Sequence, residues 1–105
     1  MESKSIYALI IVETVLSLCY AKNGKSDLSK DHFMKAFSIA MPDSFILPFI
    51  ILWEQIQNMI WTWDKKCAEE FLKRETVIRI SQISREFRNK WKSYYNKYTE
   101  EQKNL

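Results

Sequence analysis

Turn-forming residues are nearly missing from this chain, which has one glycine and two prolines in 105 residues. β-Hairpins and Greek keys draw on Gly, Asn-Gly and Pro at their reversals, so an all-β fold has too little punctuation to form. Hydrophobic residues make up 47% of the chain, enough for a modest core at this length. The expected fold is all-α, a compact bundle of about four helices in one domain over residues 1–105. The helices are expected at about 3–22, 28–41, 44–72 and 77–100, with a polar tail that frays after about residue 99.

The first helix ends at Asn23-Gly24, the chemistry of a left-handed C-terminal cap. Its polar edge is narrow, with Glu13, Thr14 and Ser17 together and Tyr7, Leu9, Ile11, Val12, Val15, Leu16, Leu18 and Cys19 around the rest. A helix apolar nearly all round is expected at the centre of a bundle or in an oligomer interface. The same apolar run resembles a leader or a membrane anchor, but Glu13 interrupts it and a full span needs about 20 apolar residues. The reading adopted is a core helix of a cytoplasmic protein, with a cleaved signal over residues 1–21 left open and membrane insertion disfavoured.

Ser26 and Asp27 offer N-cap oxygens for the second helix, in which Phe33, Met34, Phe37 and Met41 recur at helical spacing. Pro42 stops it, and Asp43 or Ser44 is placed to cap the third. From there Phe49, Leu52, Trp53, Ile56, Met59, Ile60, Trp63, Cys67 and Phe71 form one stripe, with Glu54, Asn58, Thr62 and Lys65 opposite. A second stripe, Ile80, Ile83, Phe87, Trp91, Tyr94 and Tyr98, follows at spacings of 3, 4, 4, 3 and 4. On a straight continuous helix the two stripes would lie about 130° apart. Either the helix breaks near Lys73-Arg74-Glu75-Thr76, with Thr76 as a weak cap, or one long or kinked helix presents two faces.

Little catalytic chemistry is legible. The only histidine is His32, in a short helix, and Cys19 and Cys67 have neither CxxC spacing nor a set of histidines beside them. Both cysteines are expected as reduced, packed thiols. Glu69 and Glu70 are adjacent and diverge around a helix, and Gly24 alone makes no phosphate-binding loop. No enzyme activity, metal or cofactor is expected.

Charge is localised where the chemistry is thin. Residues 1–72 carry a net −2, residues 73–97 a net +6 and the last eight a net −1. Within the basic stretch Arg74, Arg85, Arg88 and Lys92 fall along one flank of the apolar stripe, and Arg79, Lys90 and Lys97 along the other. The first reading is a docking helix in which Trp91, Tyr95 and the neighbouring rings anchor in a partner protein while Arg74, Arg85, Arg88 and Lys92 meet its acidic surface. The second is nucleic-acid binding, weakened because the cations do not form one continuous face and no known nucleic-acid motif is present. A third, a lipid surface, is weakened by the many tyrosines and the lack of a Leu-rich face. Against all three stands the possibility that the stripe is core and its flanks solvated. Wide apolar faces on three helices also point to a homodimer, with Trp53, Trp61 and Trp63 as candidate interface residues.

Overall fold

A computed structural model describes residues 3–103 and contains, among them, six α-helices and no strand. The chain is all-α. In order the helices are α1 (Ser3–Lys22), α2 (Ser26–Ala40), α3 (Leu47–Ile51), α4 (Trp53–Ile60), α5 (Lys65–Leu72) and α6 (Glu75–Lys103), with a 3₁₀ turn at Met41–Asp43.

α1 ends as its sequence requires. Gly24 sits at φ 75°, its amide reaches Ala21 O at 3.1 Å, and Lys25 N reaches Tyr20 O at 2.9 Å, which closes a Schellman-type cap. α2 differs from expectation at its start: it begins at Ser26, and its N-cap position, Lys25, makes no side-chain cap bond. After the 3₁₀ turn Ser44 takes the left-handed conformation at φ 52° and ends that turn, so it does not open the next helix.

The helix expected over 44–72 is three helices. Leu52 departs from helical geometry between α3 and α4. At the next break Thr62 N and Trp63 N tighten onto Met59 O and Ile60 O, and Thr62 Oγ1 donates to Met59 O at 2.6 Å. Asp64 then turns extended and caps α5, its carboxylate accepting from Cys67 N at 3.4 Å. The stripe survives both breaks, because Phe49, Trp53, Ile56, Met59, Ile60, Trp63 and Phe71 are all buried.

The third and fourth expected helices are separate. α5 stops at Leu72 and α6 starts at Glu75, with Ile78 N bonded to Arg74 O, so Arg74 and not Thr76 stands at the N-terminal boundary. α6 also continues to Lys103, past the point where fraying was expected, and residues 104 and 105 lie outside the described residues.

The core is an aromatic cluster from α2, α3, α5 and the turn before α5. Phe33 lies 5.6 Å from Phe49, 5.7 Å from Trp63 and 5.6 Å from Phe71, the last edge-on at 89°, and Phe37 stands edge-on to Phe71 at 5.1 Å. Such tilted pairs are the favourable arrangement of aromatic quadrupoles. Among the described residues Ile10 is the one buried core hydrophobic that comes from α1.

α1 therefore is not at the centre of the bundle, one of the two places its composition suggested. It packs on α2 through its polar edge, with Glu13, Thr14 and Ser17 buried and Glu13 reaching His32 and Lys35 of α2. The hydroxyls lose nothing by this, because Thr14 Oγ1 donates to Ile10 O at 2.7 Å and Ser17 Oγ to Thr14 O at 2.6 Å within their own helix. Small side chains let the two helices approach, and the bulky Ile11, Val12, Val15 and Leu16 are left outside. By length and composition Ser5–Lys22 is apolar enough to cross a membrane, with mean hydropathy 1.5 and 22% of its residues buried.

Candidate functional site

α6 begins inside the fold and leaves it. Val77, Ile80 and Ser84 are buried, and Ser84 Oγ donates to Ile50 O of α3 at 3.1 Å. From Arg85 to Gln102 no residue is buried. At 1.5 Å per residue that stretch carries the helix about 25 Å beyond its last buried side chain.

The face that packs inside continues unchanged along this arm. Val77, Ile80, Ser84, Phe87, Trp91, Tyr94 and Tyr98 are spaced 3, 4, 3, 4, 3 and 4, the a/d rhythm of a helix-packing seam. The first three are covered by the protein's own helices, whereas Phe87, Trp91, Tyr94 and Tyr98 are between half and seven-tenths exposed. This corrects the sequence-derived stripe at its inner end, where Val77 and Ser84 take the place of Ile83, which is only half-buried. It also removes the reading of the whole stripe as core, since the outer four rings are at least half exposed.

The candidate partner residues divide. Arg85, Arg88, Trp91, Lys92 and Tyr95 are exposed on the arm, and Trp91 is 67% exposed. Arg88 stands 3.6 Å from Glu54 of α4, an exposed surface pair worth at most about 1 kcal/mol and easily exchanged for another acid. Arg74 does not join them. It lies in the α5–α6 turn with its guanidinium 5.1 Å over the Phe71 ring, about 25 Å along the helix direction from Trp91.

Two of the three dimer candidates are corrected. Trp53 and Trp63 are 2% and 5% exposed, because the inward faces of α4 and of the turn after it carry them into the core, and Trp63 Nε1 donates to Ser29 Oγ at 3.1 Å. Trp61, on the opposite side of that turn, remains 54% exposed. The cysteines are free, but Cys19 is exposed on α1 and only Cys67 is partly packed, with Lys30 Nζ 3.1 Å from its sulfur. That contact holds the Lys30 ammonium above its usual pKa.

Two features escaped the sequence reading. One is the exposure of the apolar face of α1, whose residues were read but placed either in the bundle centre or in an oligomer interface: Tyr7, Ile11, Val12, Val15 and Leu16 form an exposed band that carries no charge. The other is a polar cluster at the α1–α2 contact: Glu13 meets His32 Nδ1 at 2.5 Å and Lys35 Nζ at 3.4 Å, and Tyr20 stacks on His32 at 5.1 Å. The hydrogen bond with His32 holds the Glu13 carboxyl below its ordinary range, more than offsetting desolvation, and Lys35 adds to it. The i, i+19 pairing of Glu13 with His32 has no sequence signature. Among the described residues no three His, Cys, Asp or Glu side chains form a set able to hold a metal.

The fold and this site define a class, an all-α protein that projects an aromatic helix with basic flanks. No protein-family model matches the chain, and neither a curated protein nor a solved structure gives a significant match.

Proposed function

We infer that the protein is a non-enzymatic protein-binding module, an inhibitor or adaptor, which docks an acidic partner protein through the outer half of α6. The observation that carries this is the seam itself: four large aromatic residues on a face that is packed at one end of the helix and bare at the other. Trp, Tyr and Arg dominate interface hot spots, and Phe87, Trp91, Tyr94 and Tyr95 are interleaved here with Arg85, Arg88 and Lys92. A surface of that composition gains little by remaining in water and much by being covered.

Nucleic acid is the competing partner because residues 73–97 hold a net +6. Size-exclusion chromatography with light scattering, at low and high salt and with mixed-sequence nucleic acid added, separates the two. Elution unchanged by nucleic acid is expected; a salt-sensitive shift onto it would replace the protein-docking reading. Trp91→Ala is expected to leave thermal unfolding unaltered, since a ring outside the core contributes nothing to it; a lowered midpoint would return the ring to the core and remove the anchor.

Self-association belongs to the same proposal, on a different surface. The uncharged aliphatic band of α1 suits a second copy of itself, because one patch then covers two molecules without needing complementary charge. Trp53 and Trp63, buried in the core, have no part in that interface, and the exposed Trp61 sits on the turn after α4.

A further inference from the structure

We propose that the ligand of the α6 arm is itself an amphipathic α-helix, with small or aliphatic residues along its seam and acidic residues on both flanks. This rests on the docking reading above and narrows it to one kind of partner.

The seam says what shape the ligand has. Over residues 77–84 the face is filled by the protein's own helices, with Ser84 pinned to the backbone of α3. Beyond Ser84 the same 3-4 rhythm continues through Phe87, Trp91, Tyr94 and Tyr98. A face with that period meets another helix in knobs-into-holes register along its whole length, whereas an extended peptide, with its period of two, meets it only here and there. Large rings on one side of such a seam leave room only for small or aliphatic residues on the other, because facing layers must alternate in size to fill the space.

The flanks say what charge the ligand has. The positions bordering the exposed seam are Arg88 and Tyr95 on one side and Lys90 and Lys97 on the other. Every ionised residue among them is a cation. Two α6 arms laid antiparallel would bring Lys90 and Lys97 of one against the same lysines of the other, and in either direction ring would face ring, so a second copy of the arm is a poor occupant by bulk and, when antiparallel, by charge as well. Glutamate or aspartate at the facing positions would pair with all three cations. Arg88 already shows the preference in its contact with Glu54.

The test uses the full chain and labelled synthetic peptides followed by fluorescence anisotropy. The first is a three-heptad helix with Ala and Leu along its seam and Glu on both flanks. The second replaces the flanking Glu by Lys, and the third scrambles the first so that composition and charge are kept and the heptad lost. The acidic helix is expected to bind at least about tenfold more tightly than either control, and Trp91→Ala or Phe87→Ala, checked for intact helicity by circular dichroism, to weaken it by about tenfold. Equal binding of the scrambled peptide, still lost in Trp91→Ala, would overturn the helical ligand and leave the docking arm standing. Failure of all three peptides, with mixed-sequence duplex bound through the arm and released by salt, would overturn both. Loss of the protein's own dimer in Trp91→Ala would make a second copy the occupant and likewise end the proposal.

Discussion

Trp53 and Trp63 place two indole N–H groups in one core under opposite conditions. Trp63 Nε1 donates to the buried Ser29 hydroxyl, while Trp53 Nε1 is buried with no acceptor among the described residues. Replacing Trp63 by Phe leaves Ser29 short of its donor, whereas the same change at Trp53 removes an unsatisfied group. Trp63→Phe should therefore cost about 1–3 kcal/mol more than Trp53→Phe in urea unfolding, the usual difference between breaking a buried bond and deleting an orphan. Glu13 gives a second prediction at this scale. Its carboxyl is held below the ordinary range in the fold, so its contribution is complete above the unfolded value of about 4.3 and disappears as pH falls through the lower folded value. Stability of the wild type should drop with acid over that window, and Glu13→Gln should be less stable near neutrality with a shallower acid dependence there. Parallel acid profiles for the two proteins would show that the carboxyl is not the titrating group.

At the scale of elements, α6 is two structures in one helix, an inner half that holds the fold and an outer half that buries no residue and meets the body through the exposed Arg88–Glu54 pair. A chain ending after Arg88 should keep its unfolding free energy to within about 0.5 kcal/mol, since the lost residues lie outside the core. A larger loss in denaturant titration would mean that the arm folds back on the body in solution. A change of face near residues 73–76 was legible because the two stripes are out of phase, but without a Gly or Pro there the sequence did not separate a break from one helix with two faces; the inward stripe from Phe49 to Phe71 was legible from spacing alone. Its interruptions were not, because periodicity continues across a one-turn break; Asp64 ahead of Lys65-Lys66-Cys67 was the only cap signal, and it sat inside an unbroken apolar rhythm. α1 misled for a different reason. A wheel shows that Glu13, Thr14 and Ser17 share a face, but not that hydroxyls satisfied by their own helix let the polar side turn inward. The basic and aromatic residues of the arm were visible as a set, yet only the body's end at Ser84 shows which of them are bare.

The whole molecule is longer than its mass requires. Its radius of gyration is 16.2 Å and its longest extent 51 Å, against about 13 Å expected for the radius of a compact chain of this length. The arm at one place and the aliphatic band of α1 at another make it a body with two open surfaces of different chemistry, one cationic and aromatic, the other uncharged. If the α1 band joins two copies, Val12→Glu should convert a dimer to a monomer by light scattering while Trp91→Ala leaves the dimer intact; an unchanged mass in Val12→Glu would dissociate self-association from α1. Anchoring has one more effect. The first turn of a free helix is the costly one to form, and an isolated peptide as short as residues 85–102 would spend much of its time unfolded in water. Here the buried turns from Glu75 to Ser84 serve as a permanent nucleus, and each later residue has only to add itself to a helix that already exists. The arm is thus kept in shape by a template some distance from where it would be read, and its amide protection should decline steadily outward from Ser84, like a zipper closed at one end.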